Sequence, residues 1–396
     1  MYMKQYSFKS FLLVLIIAAG LGSCTKEKGL NSNFKIFNLA KFRQNLISQI
    51  GSSAATQPRG YSFIINQNGL LADSVSAGVA AFNASNGSAI AMSTQTEINI
   101  ASVTKMFTGI AVLQLIKERD ITLKTKISNY LPAYWNANQA VKDLTFEELL
   151  SHSSGLTQSN TSWDSLRVTA NRGLDNPLKP TDVYANSNFA IFRAIIPFMN
   201  DKATAVTQEG NLSQSNFESW MSAKYIEYMQ ENVFTPMGIS NAICSINPSK
   251  ITSLAYSESN AVPAAINSTA TGNWTETCGG GGYYLSTFNM AKAMAYIAQT
   301  TTLLDQNQKN EMDAKYLGWD NEDSPMTYAG RAYGKDGALC WDSNSSGVQD
   351  NGDAGLQTLV MKFPNNVELV LVINSIPGAY RSLSSFVRVA YDNAWE

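Results

Sequence analysis

The chain has 396 residues, 44% hydrophobic and 15% charged, enough for a large core in one big domain or two intimate lobes. Its formal charge of -2, with no Lys/Arg block or stripe, argues against a nucleic-acid partner. A single histidine, His152, and no Cys-x-x-Cys pair exclude a His-rich or cysteine-paired zinc centre, and no metal or cofactor is expected.

The first residues read as a targeting segment. Lys4 and Lys9 precede an apolar run, Phe11 to Ala19, that is short for a membrane span. Leu21-Gly22-Ser23-Cys24 closes it with small residues before a cysteine. This pattern resembles a bacterial lipoprotein signal over residues 1–23, with Cys24 as the lipid-bearing residue. Residues 24–34 read as a polar tether. The protein is therefore expected in the cell envelope, lipid-anchored to a membrane, periplasmic or surface-facing.

Phe34 to Ile50 carries Leu39, Phe42, Leu46 and Ile50 on one helical face. Gly60 to Ala80 reads as two strands around Asn68-Gly69, a strong hairpin turn. Met106 to Arg119 predicts a helix, and Ser102-Val103-Thr104-Lys105 leads into it. Ser102 and Lys105 stand three residues apart, so they share one face. A lysine beside a serine at the positive end of a helix loses proton affinity and can activate the hydroxyl.

Ile121 to Pro132 reads as a connection. Thr145-Phe146-Glu147-Glu148 fits a capping box before a short helix, Phe146 to Ser151. His152 follows and is expected to be structural, its ring bonding the backbone of that turn. Residues 156–182 are read as loop and residues 247–277 as irregular. Phe189 to Met199 and Phe217 to Val233 are read as helices. Gly279 to Gly282 lacks a following Gly-Lys-Ser/Thr, so close backbone packing is expected there rather than phosphate binding. Tyr283 to Leu285 and Tyr333 to Cys340 read as strands. Leu356 to Phe363 and Val367 to Ile373 form a hairpin around Pro364-Asn365-Asn366, and Ser382 to Asn393 a closing helix.

The pattern predicts an α/β fold, an antiparallel sheet flanked by helices with an inserted all-helical lobe. The α/β lobe takes about 35–120 and 279–396, the helical lobe about 121–278, and the active site lies between them.

Two motifs join Ser102 and Lys105 in order: Tyr184-Ala185-Asn186, and Lys335-Asp336-Gly337. With Leu149 to Leu156, Phe234 to Ile239 and Gly281 to Thr287, the set resembles the serine β-lactamase and penicillin-binding protein superfamily. Within it, the Tyr-x-Asn form is similar to the branch of class C β-lactamases, D-alanyl-D-alanine carboxypeptidases, D-aminopeptidases and related esterases. The likeness runs from about residue 35 to the C-terminus.

The resemblance implies roles. Ser102 would be acylated, Lys105 would take or share its proton, and Tyr184 would shuttle it to the leaving group. Asn186 would bind Lys105 or the substrate amide. Lys335 would lower the tyrosine pKa. The N–H groups of Ser102 and Ala338 would form the oxyanion hole, beside Gly337. The family usually has Thr or Ser where this chain has Asp336, which would repel a substrate carboxylate. Being on a strand, Lys335 and Asp336 are expected to point to opposite faces.

The expected activity is a serine hydrolase on an amide or ester, on peptidoglycan-derived or D-amino-acid peptides or β-lactam-like compounds. The alternatives are an esterase or amidase for neutral substrates, or a silent binding protein for cell-wall fragments. Partners are thus a small-molecule or peptide substrate and the membrane. Among Cys244, Cys278 and Cys340, one disulfide is expected, Cys278 with Cys340.

Overall fold

A computed structural model describes residues 35–51, 58–83, 85–256, 272–341, 354–375 and 382–396. The leader, Cys24 and the tether lie outside the described residues. One compact unit runs Phe37–Glu396.

Helix α1 (Leu39–Ile50) is started by Asn38, whose side chain accepts from Lys41 N at 3.0 Å. Strands β1 (Gly60–Gln67) and β2 (Leu70–Phe82) form the expected hairpin, with Asn68 and Gly69 both at positive φ, 54° and 75°. Short strands β3 (Ala89–Ala91) and β4 (Glu97–Asn99) lead to a 3-10 turn, Ala101–Val103, and then α2 (Thr104–Glu118). Helices α3 (Gln139–Lys142), α4 (Phe146–Leu150), α5 (Trp163–Arg172), α6 (Ser187–Ala190), α7 (Phe192–Asn200), α8 (Lys202–Asn211) and α9 (Gln214–Tyr228) follow. Then come β5 (Tyr284–Ser286), α10 (Thr287–Gln299), α11 (Gln306–Ala314), β6 (Met326–Thr327), β7 (Gly330–Arg331), β8 (Tyr333–Trp341), β9 (Ala354–Phe363), β10 (Val367–Ile373) and α12 (Leu383–Asp392).

The main sheet has six strands in the order β3-β2-β1-β10-β9-β8, antiparallel at every pair. Both ends of the chain therefore build it, and both faces of its central strands are covered. Alternation decides which face each residue serves. Phe63, Ile65, Leu359 and Met361 pack with Phe42 and Leu46 of α1 and Val387 and Tyr391 of α12. Ile64, Val360, Val370 and Val372 point the other way, into the core around α2. A one-residue slip would exchange these two sets, so the register is strongly specified.

Helix α2 is the centre of that second core. Every residue from Thr104 to Leu113 is buried, so the helix is enclosed on all sides. The capping box at Thr145 forms as read, with reciprocal bonds to Glu148. Residues 156–182 are less irregular than expected, since α5 lies within them. Ser162 caps it, and Trp163, Leu166 and Ala170 supply its buried side, with Trp163 meeting Trp135 edge-on at 6.4 Å. The apolar span Phe189 to Met199 divides between α6 and α7, which carries Pro197.

Candidate active site

Ser102 occupies the 3-10 turn in front of α2. Ala101 before it has φ +47°, a left-handed conformation that costs a non-glycine residue on the order of 1 kcal/mol or more. Neighbours hold the turn in place. Ala101 N donates to Asn99 Oδ1 (2.9 Å), Ile100 N to Tyr283 O (2.8 Å), and Thr358 Oγ1 to Ile100 O (2.9 Å).

Lys105 is fully buried one turn later. Its Nζ lies 2.9 Å from Ser102 Oγ and 2.8 Å from Asn186 Oδ1, and it also donates to Gly280 O. Burial, then the charge of Lys335, hold its pKa well below the usual lysine range, against the pull of Asp320 and Asp336.

The glycine run provides one of those contacts. Consecutive carbonyls of Cys278, Gly279 and Gly280 accept from Arg193 Nη1 (2.7 Å), Thr108 Oγ1 (2.8 Å) and Lys105 Nζ. A Cβ on Gly280 would lie 3.0 Å from Asn186 O, and one on Gly282 would lie 2.6 Å from Trp274 Cβ. The glycines serve close packing, as expected from the sequence.

Tyr184 sits with its hydroxyl 2.7 Å from Ser102 Oγ. Lys105 Nζ and Lys335 Nζ lie 4.8 and 5.4 Å from its ring centroid. The Lys335 charge does pull its pKa down, as expected, but the net shift is upward. Desolvation pushes the phenol up to about 12, and Asp320 and Asp336 add to this, outweighing Lys335 and the bond to Ser102. Tyr184 is thus a protonated donor at neutral pH.

Lys335 is fully buried and forms a short ion pair with Asp320. It also donates to Asp336 O (2.8 Å) and lies 3.4 Å from Asp336 Oδ1. Burial pulls its pKa down, but Asp320, Tyr184 and Asp336 more than restore it, so it stays charged. The expectation that Lys335 and Asp336 part to opposite faces is therefore corrected: the lysine side chain curls back onto its neighbour. Carboxylate oxygens of Asp320, Asp323 and Asp336 converge within 4.8 Å of one another, and the Lys335 ammonium serves as their counter-ion. Burial, and then the neighbouring Asp336 charge, lift Asp323 to about 7.

Gly337 lets β8 press against the serine turn. A Cβ there would fall 2.6 Å from Ile100 O and 2.9 Å from Ser102 N. Ser102, Tyr184, Asn186, Asp336 and Ala338 consequently line one cleft of about 410 Å³. Its lining is also acidic, with Asp182, Asp320, Glu322 and Asp323 beside Tyr316 and Trp319.

Three further placements differ from the sequence reading or were absent from it. No disulfide joins Cys278 to Cys340. Cys278 is buried, donates to Thr275 O at 3.1 Å and lies against buried Cys244, whereas Cys340 is on the exposed side of β8. His152 bonds to the tyrosine segment rather than to its own turn, with Nδ1 3.3 Å from Ala185 N. Asp320 was missed. It lies in the polar turn stretch Asp320-Asn321-Glu322-Asp323-Ser324, and nothing local marks one of those acids as the partner of a strand lysine.

The model of the Beta-lactamase family matches residues 54–375. "Protein flp" of Staphylococcus aureus (strain NCTC 8325 / PS 47) is 37% identical over 78 residues, which is 19% of this chain and 16% of that protein. The chain thus matches under a fifth of that relative's length. Among solved structures, FmtA from Staphylococcus aureus superposes with a TM-score of 0.63 at 18% identity, covering 91% of this chain and 88% of its own. The D-amino acid amidase from Ochrobactrum anthropi SV3 superposes with a TM-score of 0.60 at 17% identity, covering 90% and 96%. These structures share the fold of antiparallel sheet and flanking helices described above. With the family pattern spanning most of its length, the chain belongs to the Beta-lactamase family.

Proposed function

We propose that the protein is a serine hydrolase that cleaves an ester or amide through an acyl-enzyme on Ser102. The observation that carries this is the environment of Lys105 Nζ. A neutral amine has two N–H bonds and one lone pair. Asn186 Oδ1 and Gly280 O are acceptors only, and they take the two N–H bonds. The lone pair is left for the hydroxyl of Ser102 at 2.9 Å. Burial favours that neutral form.

In this reading Lys105 takes the Ser102 proton as Oγ bonds to the substrate carbonyl carbon. The negative charge moves to the carbonyl oxygen, facing the N–H groups of Ser102 and Ala338. As the carbonyl reforms, the bond to the leaving group breaks. The proton held by Lys105 reaches that group through Tyr184, which gives its own proton and is recharged. Water then repeats the sequence on the acyl-enzyme and releases the acid.

The charge of the cleft favours the alternative substrates over penicillins and D-Ala-D-Ala ends. Five carboxylates line it, counting Asp336, and Lys335 is the described cation buried behind them. A substrate bearing a carboxylate meets like charge, and a neutral or amine-bearing one does not. The lipid anchor on Cys24 would place this activity in the cell envelope. No helix among the described residues is long and apolar enough to cross a membrane.

The test is labelling by an alkyl fluorophosphonate followed by peptide mass spectrometry, with p-nitrophenyl acetate turnover in parallel. Label on Ser102, lost together with turnover in Ser102→Ala, is the expected result. A folded protein that several such probes leave unlabelled would overturn the reading.

A further inference from the structure

We propose that His152 is a positioning residue that clamps Tyr184 in register with Ser102. This rests on the preceding reading, in which Tyr184 delivers the proton to the leaving group.

Residues 183–185 belong to no helix or strand, so nothing regular fixes the tyrosine between them. His152 grips this segment on both sides of Tyr184. Its main-chain oxygen accepts from Val183 N at 3.0 Å, and its ring Nδ1 lies 3.3 Å from Ala185 N. Between those two bonds the imidazole lies against the phenol ring, with centroids 4.6 Å apart and planes inclined at 31°. Phe189 packs on the same imidazole at 5.1 Å. His152 itself has φ +53°, which turns the residue so that its carbonyl and its ring both face residues 183–185.

The tautomer follows from the surrounding bonds. Ser154 Oγ donates to Asn188 Oδ1, so Asn188 presents its amide N–H to Nδ1, 3.0 Å away. Nδ1 therefore accepts from two donors, Asn188 and Ala185, and the ring proton resides on Nε2. A proton on Nδ1 would set three N–H groups against one another. Burial keeps the ring neutral, and the Lys335 ammonium acts in the same direction. The imidazole is thus a fixed acceptor and a flat wall, and it takes no proton itself.

The clamp predicts a leaving-group effect. p-Nitrophenolate departs without needing a proton, whereas a plain phenolate or alkoxide needs one. His152→Ala should therefore lower kcat/KM, which reports acylation, at least tenfold more on phenyl acetate than on p-nitrophenyl acetate, since both give the same acetyl-enzyme. His152→Asn, which can still accept from Ala185 N, should recover part of that ratio. Tyr184→Phe should show the same imbalance, and the double variant Tyr184→Phe/His152→Ala should not widen it further. Equal losses on both esters would mean that His152 only supports the fold and would overturn the clamp. Failure of the unaltered protein to turn over p-nitrophenyl acetate through Ser102 would overturn the underlying reading instead.

A measurement without mutation guards against unfolded variants. The chain has one histidine, so untagged protein labelled with ¹⁵N-histidine gives a single imidazole to assign. A neutral ring with the proton on Nε2 throughout about pH 5.5 to 8 is expected. A charged ring, or one with the proton on Nδ1, would overturn the proposal.

Discussion

Lys335 binds the carboxylate that follows it in sequence: its Nζ is 2.8 Å from the main-chain oxygen of Asp336 and 3.4 Å from Oδ1. Asp336 is thereby partly neutralised, but it shares that ammonium with Asp320. Asp336→Thr should remove one like charge from the cleft and leave Lys335 paired. Hydrolysis of nitrocefin relative to p-nitrophenyl acetate should rise about tenfold, equivalent to about 1.4 kcal/mol. An unchanged ratio would remove Asp336 from substrate selection.

Lys105→Met keeps much of the buried volume and deletes the amine. The pre-steady-state burst of p-nitrophenol should slow by roughly 10²- to 10⁴-fold, as for loss of a general base. In the unaltered protein, kcat/KM should reach its plateau at a lower pH than an ordinary lysine would give, because burial holds the Lys105 pKa down. It should fall on acidification as Lys105 regains its proton.

Asp320→Asn should be the most costly change near the site. Lys335 is completely buried, and the Asp320 carboxylate does most to keep it charged. Removing one partner of a buried pair typically costs about 3 kcal/mol or more. Urea unfolding should show a loss of that order, and the tyrosine should titrate lower, since Asp320 helps raise it.

Glu368 gives a pH signature away from the cleft. It is buried on β10, accepts from Gln299 at 2.7 Å, and burial lifts its carboxyl to about 7. Between the unfolded value near 4.5 and 7 the folded protein holds this proton and the unfolded chain does not. Its contribution is therefore fully present below that window and is lost as pH rises through it. Glu368→Gln should flatten the decline in stability across that range, as read by thermal melting.

Cys24→Ala should abolish incorporation of an alkyne-tagged fatty acid in bacteria expressing the full chain, and should release the protein from membranes. Retention of the label would place the lipid elsewhere, and its absence from the unaltered protein would remove the anchor.

Local chemistry made much of this fold legible. Asn68-Gly69 declares its hairpin because both residues tolerate positive φ. Thr145 and Glu148 declare their helix start because they bond each other three residues apart. Ser102 and Lys105 were readable for the same reason, since helical spacing alone joins them. What escaped depends on contacts between distant residues. Asp320 reaches Lys335 only because β8 passes its loop, and Cys278 meets Cys244 because the segments around 245 and 273 pair. Helix α5 escaped although Trp163, Leu166 and Ala170 stand at helical spacing, because polar residues such as Asp164, Arg167 and Asn171 outnumber them and the stretch reads as loop. The Lys335–Asp336 contact escaped because strand alternation governs Cβ directions and not the tips of long side chains.

The run of carbonyls at residues 278–280 divides the protein's labour. Each is fastened to a different buried donor, from α7 or α2, so the lysine beside the nucleophile cannot shift without disturbing the interior. The acidic lining comes instead from loop residues around 182 and 320–323, of which Asp320 is tied to buried Lys335. Mutations at Asp182 and Glu322 can change what is admitted while the bond-making apparatus stays as it is. A lineage built on this plan can therefore exchange substrates by editing one rim, and its members are expected to differ most where molecules enter.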